Sequence, residues 1–147
     1  MKKKNPGAEE IFLAGANCAQ AVFVSRCSRY GISPEAGMKL CSAFGGGIAG
    51  TGNTCGAVTG ALLIIGLQEG HEHIREGFND TAKERAGEFL RRFRELHGTT
   101  VCRELLGYNM DIPLEKQAIT ELGLTAKRCP GIVASAAQIL DGMGGHA

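Results

Sequence analysis

The chain has 147 residues, with 16 Lys and Arg against 15 Asp and Glu, for a formal net charge of +1. That length suits one domain, and 44% hydrophobic with 21% charged residues excludes a disordered chain. The near-neutral balance leaves no sequence-wide case for a nucleic-acid or membrane-surface partner.

No apolar/polar alternation bounded by turns occurs, while helix punctuation recurs throughout. A first helix is predicted from about Ala8 to Tyr30 on Ile11, Phe12, Cys18, Ala21 and Val22, closed by Gly31. Ser33-Pro34-Glu35 is a strong start for a short second helix: a hydroxyl N-cap, a Pro at the first position and an acid facing the dipole. It ends before Gly45-Gly46-Gly47, and a glycine-rich loop runs on to Asn53. Asn53 or Thr54 then caps a third helix that opens with Cys55 and reaches about Glu69. Val58, Ala61, Leu62, Leu63, Ile64, Ile65 and Leu67 make it apolar almost all round, so it should be the buried central helix. Gly56, Gly60, Gly66 and Gly70 would let neighbouring helices approach it closely.

The fourth helix has an amphipathic pattern in Phe78, Ala82, Ala86, Phe89, Phe93 and Leu96, and Gly98 ends it. Thr99-Thr100 caps a short helix from Val101 to Leu106, stopped by Gly107. Another follows Asp111-Ile112-Pro113 and stops at Gly123, and the last starts at Pro130 with Val133, Ala137 and Leu140. There is no internal repeat and no linker that would divide the chain. The expectation is all-α: a single domain over residues 1–147, a bundle of about five to seven helices around a central buried one.

Six cysteines fall short of the roughly 8–10% that marks a disulfide-stapled secreted scaffold. Asn5-Pro6-Gly7 and Glu9-Glu10 interrupt any export signal after Lys2-Lys3-Lys4. The longest apolar stretch, Ala57 to Leu67, is well below the about 20 residues of a membrane span. A cytoplasmic setting with reduced thiols is expected, where cysteines read first as metal-binding or catalytic.

Cys18, Cys55, Cys102 and Cys129 are the candidate set. Cys55, Cys102 and Cys129 fall at predicted helix starts, where unpaired N–H groups and a partial positive charge stabilise a thiolate, the form that attacks and ligates. Pro130 further biases Cys129 toward an extended conformation. Lowered thiol pKa values are expected for these three. The plain alternative for any one cysteine is a buried apolar filler, and this is the reading for Cys27 and Cys41.

Other motifs carry less. Gly45-Gly46-Gly47-Ile48-Ala49-Gly50 satisfies GxGxxG, but no strand precedes it, so no nucleotide is expected. His71-Glu72-His73 is not HExxH, since Arg75 holds the required position, and it reads as a solvated helix end before it reads as zinc ligands. The Arg91-Arg92-Phe93-Arg94 run reads as the wet side of an amphipathic helix, with Arg85, Arg91 and Arg92 offering an anionic partner little.

Gly15-Ala16-Asn17-Cys18-Ala19-Gln20-Ala21, Phe44-Gly45-Gly46-Gly47-Ile48 and Cys55-Gly56-Ala57-Val58-Thr59-Gly60-Ala61 resemble the C-GCAxxG-C-C family of redox-active proteins. Cys102-Arg103-Glu104-Leu105-Leu106-Gly107 and Cys129-Pro130 resemble its third and fourth cysteine blocks, so the likeness covers nearly the whole chain. It implies a small helical prokaryotic protein, often encoded near transporters, whose four characteristic cysteines map to Cys18, Cys55, Cys102 and Cys129. A related segment occurs in split-Soret cytochromes with a suspected iron–sulfur site. This chain has no CxxCH, so no haem is carried over.

Four thiols could ligate an iron–sulfur cluster or zinc. The long, irregular spacing lacks C-x₂-C clips, which weakens zinc and favours a site built between helices. The cofactor-binding set is then these four cysteines with Gly45, Gly46, Gly47 and Gly56. Alternatively, Cys55 attacks in thiol–disulfide exchange and a distant cysteine resolves it. A third reading is a non-redox packing or partner-binding module with reduced cysteines. The expected partner is a redox protein of unassigned identity, with no nucleic acid and no membrane insertion, and small-residue helix faces suggest a homodimer.

Overall fold

The first departure from these expectations comes at Gly15, whose φ of +116° ends a helix that the apolar pattern runs straight through. In place of one helix over Ala8–Tyr30 there are α1 (Ala8–Leu13), α2 (Cys18–Val24) and a 3₁₀ turn over Cys27–Tyr30. Asn17 starts α2 through a capping box. Its Oδ1 accepts the Gln20 amide at 2.8 Å, and the Gln20 side chain accepts the Asn17 amide at 2.9 Å. The structure, a computed structural model, describes residues 5–74 and 81–144. Phe78 and Arg75 lie outside those residues.

Ser33 caps α3 (Pro34–Leu40) as expected, its hydroxyl accepting the Ala36 amide at 3.1 Å. A 3₁₀ turn at Ser42–Phe44 leads into the glycine loop. There Gly46, Gly47, Ile48, Ala49 and Gly50 all take positive φ, a full left-handed turn. Each non-glycine residue in that region costs on the order of 1–3 kcal/mol. The turn is held by Gly52 and Asn53 amides donating to the Gly46 and Gly47 carbonyls at 3.0 and 2.8 Å. The Thr51 hydroxyl donates to the Gly47 and Ile48 carbonyls.

The central helix is α4 (Gly56–Glu69), packed against α2, α5 (Thr81–His97) and α8 (Leu124–Gly142). Ala57, Val58, Ala61 and Ile64 are fully buried, but Leu63 and Leu67 remain over a third exposed, so the helix is not enclosed all round. Its first two turns press on the backbone of α2. A Cβ on Gly60 would stand 2.7 Å from the Ala19 carbonyl oxygen, and one on Gly56 2.8 Å from the Ala19 nitrogen. On α5, Phe89 and Phe93 stack inward at 5.9 Å, while Arg91 pairs with Glu95 and Arg92 with Glu88 on the outer side.

Beyond α5 come α6 (Cys102–Leu106) and α7 (Pro113–Leu122), and Gly123 stops α7 in the left-handed conformation. The last helix corrects the expected start at Pro130: α8 begins at Leu124 and carries Pro130 in its interior. Tertiary anchors override the local preference of proline. Arg128 donates to the Leu105 carbonyl at 2.9 Å. At the far end, buried Arg26 pairs with Asp141 at 2.5 Å and donates to the Ala137 carbonyl. The described residues thus form eight α-helices and no strand, an all-α fold. The count exceeds the expected five to seven chiefly because the first helix is divided.

Two hydrophobic clusters result. The larger surrounds α4, and the smaller gathers Cys102, Leu106, Ile119, Leu124 and Cys129. Phe12 and Cys18 pack against both.

Gly60→Ala should cost about 1–3 kcal/mol by overpacking against Ala19, although Ala is favoured over Gly by roughly 1 kcal/mol inside a helix. At Gly66, where a Cβ meets nothing within 4 Å, the same change should stabilise by about 0.5–1 kcal/mol. Urea denaturation of both variants checks the contrast. Equal stability of Gly60→Ala and the parent would remove the close approach.

Candidate redox site

The segments leading into α4 and α6 run antiparallel and pair. The Cys55 amide donates to the Thr100 carbonyl at 2.8 Å, and the Cys102 amide to the Asn53 carbonyl at 2.6 Å, around a Thr54–Val101 bridge. The Arg103 amide and guanidinium extend the pairing to the Gly52 carbonyl and Asn53 Oδ1. Cys55 is thereby the N-cap of α4 and Cys102 the first residue of α6. Neither helix has the side-chain cap expected from Asn53, Thr54, Thr99 or Thr100. Thr99 instead accepts the Val101 amide and donates to Glu104.

Cys18 opens α2, and the contact of α2 with Gly56 sets it beside Cys55: a Cβ on Gly56 would lie 3.0 Å from the Cys18 Cβ. Cys129 comes from mid-helix in α8, not from a helix start. Three of the four cysteines do begin helices, but Cys18 takes the place expected of Cys129.

All four cysteines line one cavity of about 350 Å³, walled by Phe12, Leu105, Leu106, Met110 and Ile132. Gly46 and Gly47 close another side at distances no side chain would allow. A Cβ on Gly47 would stand 2.6 Å from the Cys102 Cβ, and one on Gly46 2.7 Å from Met110 Sδ. Of the expected glycines, Gly45 and Gly56 lie behind the wall, against Asn17 and Cys18. Cys27 and Cys41 are fully buried in the larger core, away from the cavity. His71 and His73 follow the end of α4, exposed, and do not border it. Phe12, Asn17 and Met110 were not anticipated at the site. Only Asn17 had a local signal, its spacing to Gln20.

The four thiols are not equivalent. Hydrogen bonds with Cys129 and Cys55, and then burial, hold the Cys18 thiol well above the usual thiol range. The same hydrogen bond from Cys18 lowers Cys55 and Cys129, and the Ala57 and Val58 amides also favour the Cys55 thiolate. Cys102 stands outside this trio, and burial followed by the charges of Cys55 and Cys129 pushes it up to about 12. The expected lowering therefore fails at Cys102, where α6 is only five residues long and desolvation wins. At Cys129 the direction is as expected, but its cause is the Cys18 hydrogen bond. Among the described residues no three Cys, His, Asp or Glu side chains converge on a single metal ion.

As pH rises through the thiol range, alkylation should label Cys55 and Cys129 first, with Cys18 and Cys102 following only at higher pH. In Cys18→Ala the onset for Cys55 and Cys129 should move to higher pH, because their hydrogen-bond donor is gone. Site-resolved mass spectrometry reads both, and early labelling of Cys102 would reverse the assignment.

A family described as "Putative redox-active protein (C_GCAxxG_C_C)" matches residues 16–143. Over 139 residues the chain is 29% identical to an uncharacterized protein of Archaeoglobus fulgidus, covering 88% of this chain and 85% of that one. No solved structure matches. Among the described residues no helix is long and apolar enough to cross a membrane. The family match spans most of the chain and takes in all four cavity cysteines, and on that ground the chain belongs to the C_GCAxxG_C_C family of redox-active proteins.

Proposed function

We propose that Cys18, Cys55, Cys102 and Cys129 form a redox centre by holding an iron–sulfur cluster between helices, in a reducing cytoplasm. The observation behind this reading is that four thiols from α2, the α4 N-cap, α6 and α8 border a single cavity. The donor set suits such a cluster in kind and number. A mononuclear zinc site fits less well. At a Zn–S distance of about 2.3 Å the four sulfurs must close on one point, and the described side chains do not do so. A cluster spreads its ligands over several irons and needs a chamber, and about 350 Å³ is available. When bound it supplies one-electron chemistry. The chain's own residues do the rest: the Ala57 and Val58 amides favour a thiolate at Cys55, and the apolar walls keep bulk water from the sulfurs.

A second reading is favoured by the shared lining of Cys18, Cys55 and Cys129, whose thiols shift one another's protonation. Cys18 and either neighbour could form a disulfide, two S–H bonds breaking and one S–S bond forming. Two electrons and two protons would then reduce a partner disulfide to two thiols.

Anaerobically purified protein should absorb broadly between about 320 and 450 nm and carry matching iron and acid-labile sulfide. Cys55→Ser should lose most of that iron and absorbance while keeping its far-UV helicity. A colourless, metal-free protein with a reducible disulfide would replace the cluster with the thiol relay. Finding neither, with Cys→Ala at all four positions shifting only stability, by about 1–2 kcal/mol each, would overturn the redox centre.

A further inference from the structure

We propose that the cavity admits a small, uncharged molecule to the cysteine sulfurs, and that the centre's direct reaction partner belongs to that class. The inference rests on reading this cavity as the redox site. It applies to the metal-free thiols. A bound cluster would take up the same volume and pass electrons without contact, whereas a reactant of the thiols must cross this lining to meet them.

The lining contains no Asp, Glu, Lys, Arg or His. Its two polar residues offer little to a ligand. Asn17 is already committed, its Oδ1 to the Gln20 amide and its Nδ2 to the Cys41 and Ser42 carbonyls. Thr125 is exposed and stands at the mouth. Two arginines on the surrounding elements are turned elsewhere: Arg103 to Asn53 and Gly52, Arg128 to the Leu105 carbonyl. In the first turn of α4 the Val58 and Thr59 amides are engaged, donating to the Cys55 carbonyl at 3.0 and 3.1 Å.

A phosphate, carboxylate or nucleotide entering here would lose its hydration with no partner to replace it. A neutral molecule with an apolar body would lose little and gain contacts with Phe12, Leu105, Leu106 and Ile132. With the sulfurs free of metal, and at about 30 Å³ for each water's share of liquid volume, the cavity of about 350 Å³ holds a molecule on the order of ten non-hydrogen atoms. A partner protein could cover the mouth, but it could not bring a charged group to the sulfurs.

The cysteines themselves report the selectivity. The reduced, metal-free full chain is treated with iodoacetamide or iodoacetate, which are similar in size and differ in charge, and labelling rates are mapped at Cys55 and Cys129. The ratio of neutral to anionic rates should exceed that of the same cysteines in the denatured chain by about tenfold or more. Thr125→Arg, at the exposed mouth, should bring the ratio back toward the denatured value, and Thr125→Trp should slow iodoacetamide at both cysteines. A ratio no higher than in the denatured chain, no labelling by either reagent, or a ratio unmoved by Thr125→Arg would overturn the inference. Alkylation reads access alone, so absence of iron from the purified protein leaves this result standing. Iron-loaded protein with an unselective cavity would sink only the present proposal.

Discussion

Two backbone hydrogen bonds, Cys55 N–H to Thr100 and Cys102 N–H to Asn53, hold the site together. They join the approaches to α4 and α6, which are far apart in sequence, and fix Cys55 and Cys102 by main chain instead of side-chain caps. The glycine loop depends on this pairing, because its last residues, Gly52 and Asn53, supply two of the carbonyl acceptors. Its left-handed turn then brings the Gly47 backbone against Cys102 and the Gly46 backbone against Met110. The strain at Ile48 and Ala49 is the cost of a wall built from main chain, thinner than any side chain could make it.

The electrostatics follow from the same placement. Cys18 stands beside Cys55 because α2 sits directly on the first turn of α4, a contact that tolerates only glycine at positions 56 and 60. One helix-packing choice therefore sets both the depth of the bundle core and the proton distribution in the cavity. Cys102 is left out of the shared proton and behaves as a buried thiol.

Much of this was legible in local sequence. Ser33-Pro34 started α3 and Gly123 stopped α7 as their chemistry requires. Cys55 and Cys102 stood out at helix starts that the structure bears out, Cys129 at one it does not, and likeness to a family marked all four, while Cys27 and Cys41 read as buried filler and are fully buried. The break at Gly15 was missed although Asn17 and Gln20 had capping-box spacing, because apolar periodicity continues unbroken across it. The start of α8 was misread for the opposite reason: Pro130 is a strong local signal, while the turn before it is tied down from a distance, Arg128 donating to the Leu105 carbonyl. The raised pKa of Cys102 and the presence of Phe12 and Met110 at the cavity come from burial and from chain crossings that no short window contains.

The two hydrophobic clusters give the cavity a mechanical meaning. Cys102 and Cys129 belong to the smaller cluster, Cys55 to the larger, and Cys18 touches both. The sulfurs therefore stand on opposite banks of a seam. Anything bonded to sulfurs on both banks acts as a rivet across it, and its gain or loss changes how firmly the α6–α7 side is fastened to the α4 core. A bond between sulfurs on the two banks and rigidity across the seam would therefore be coupled quantities.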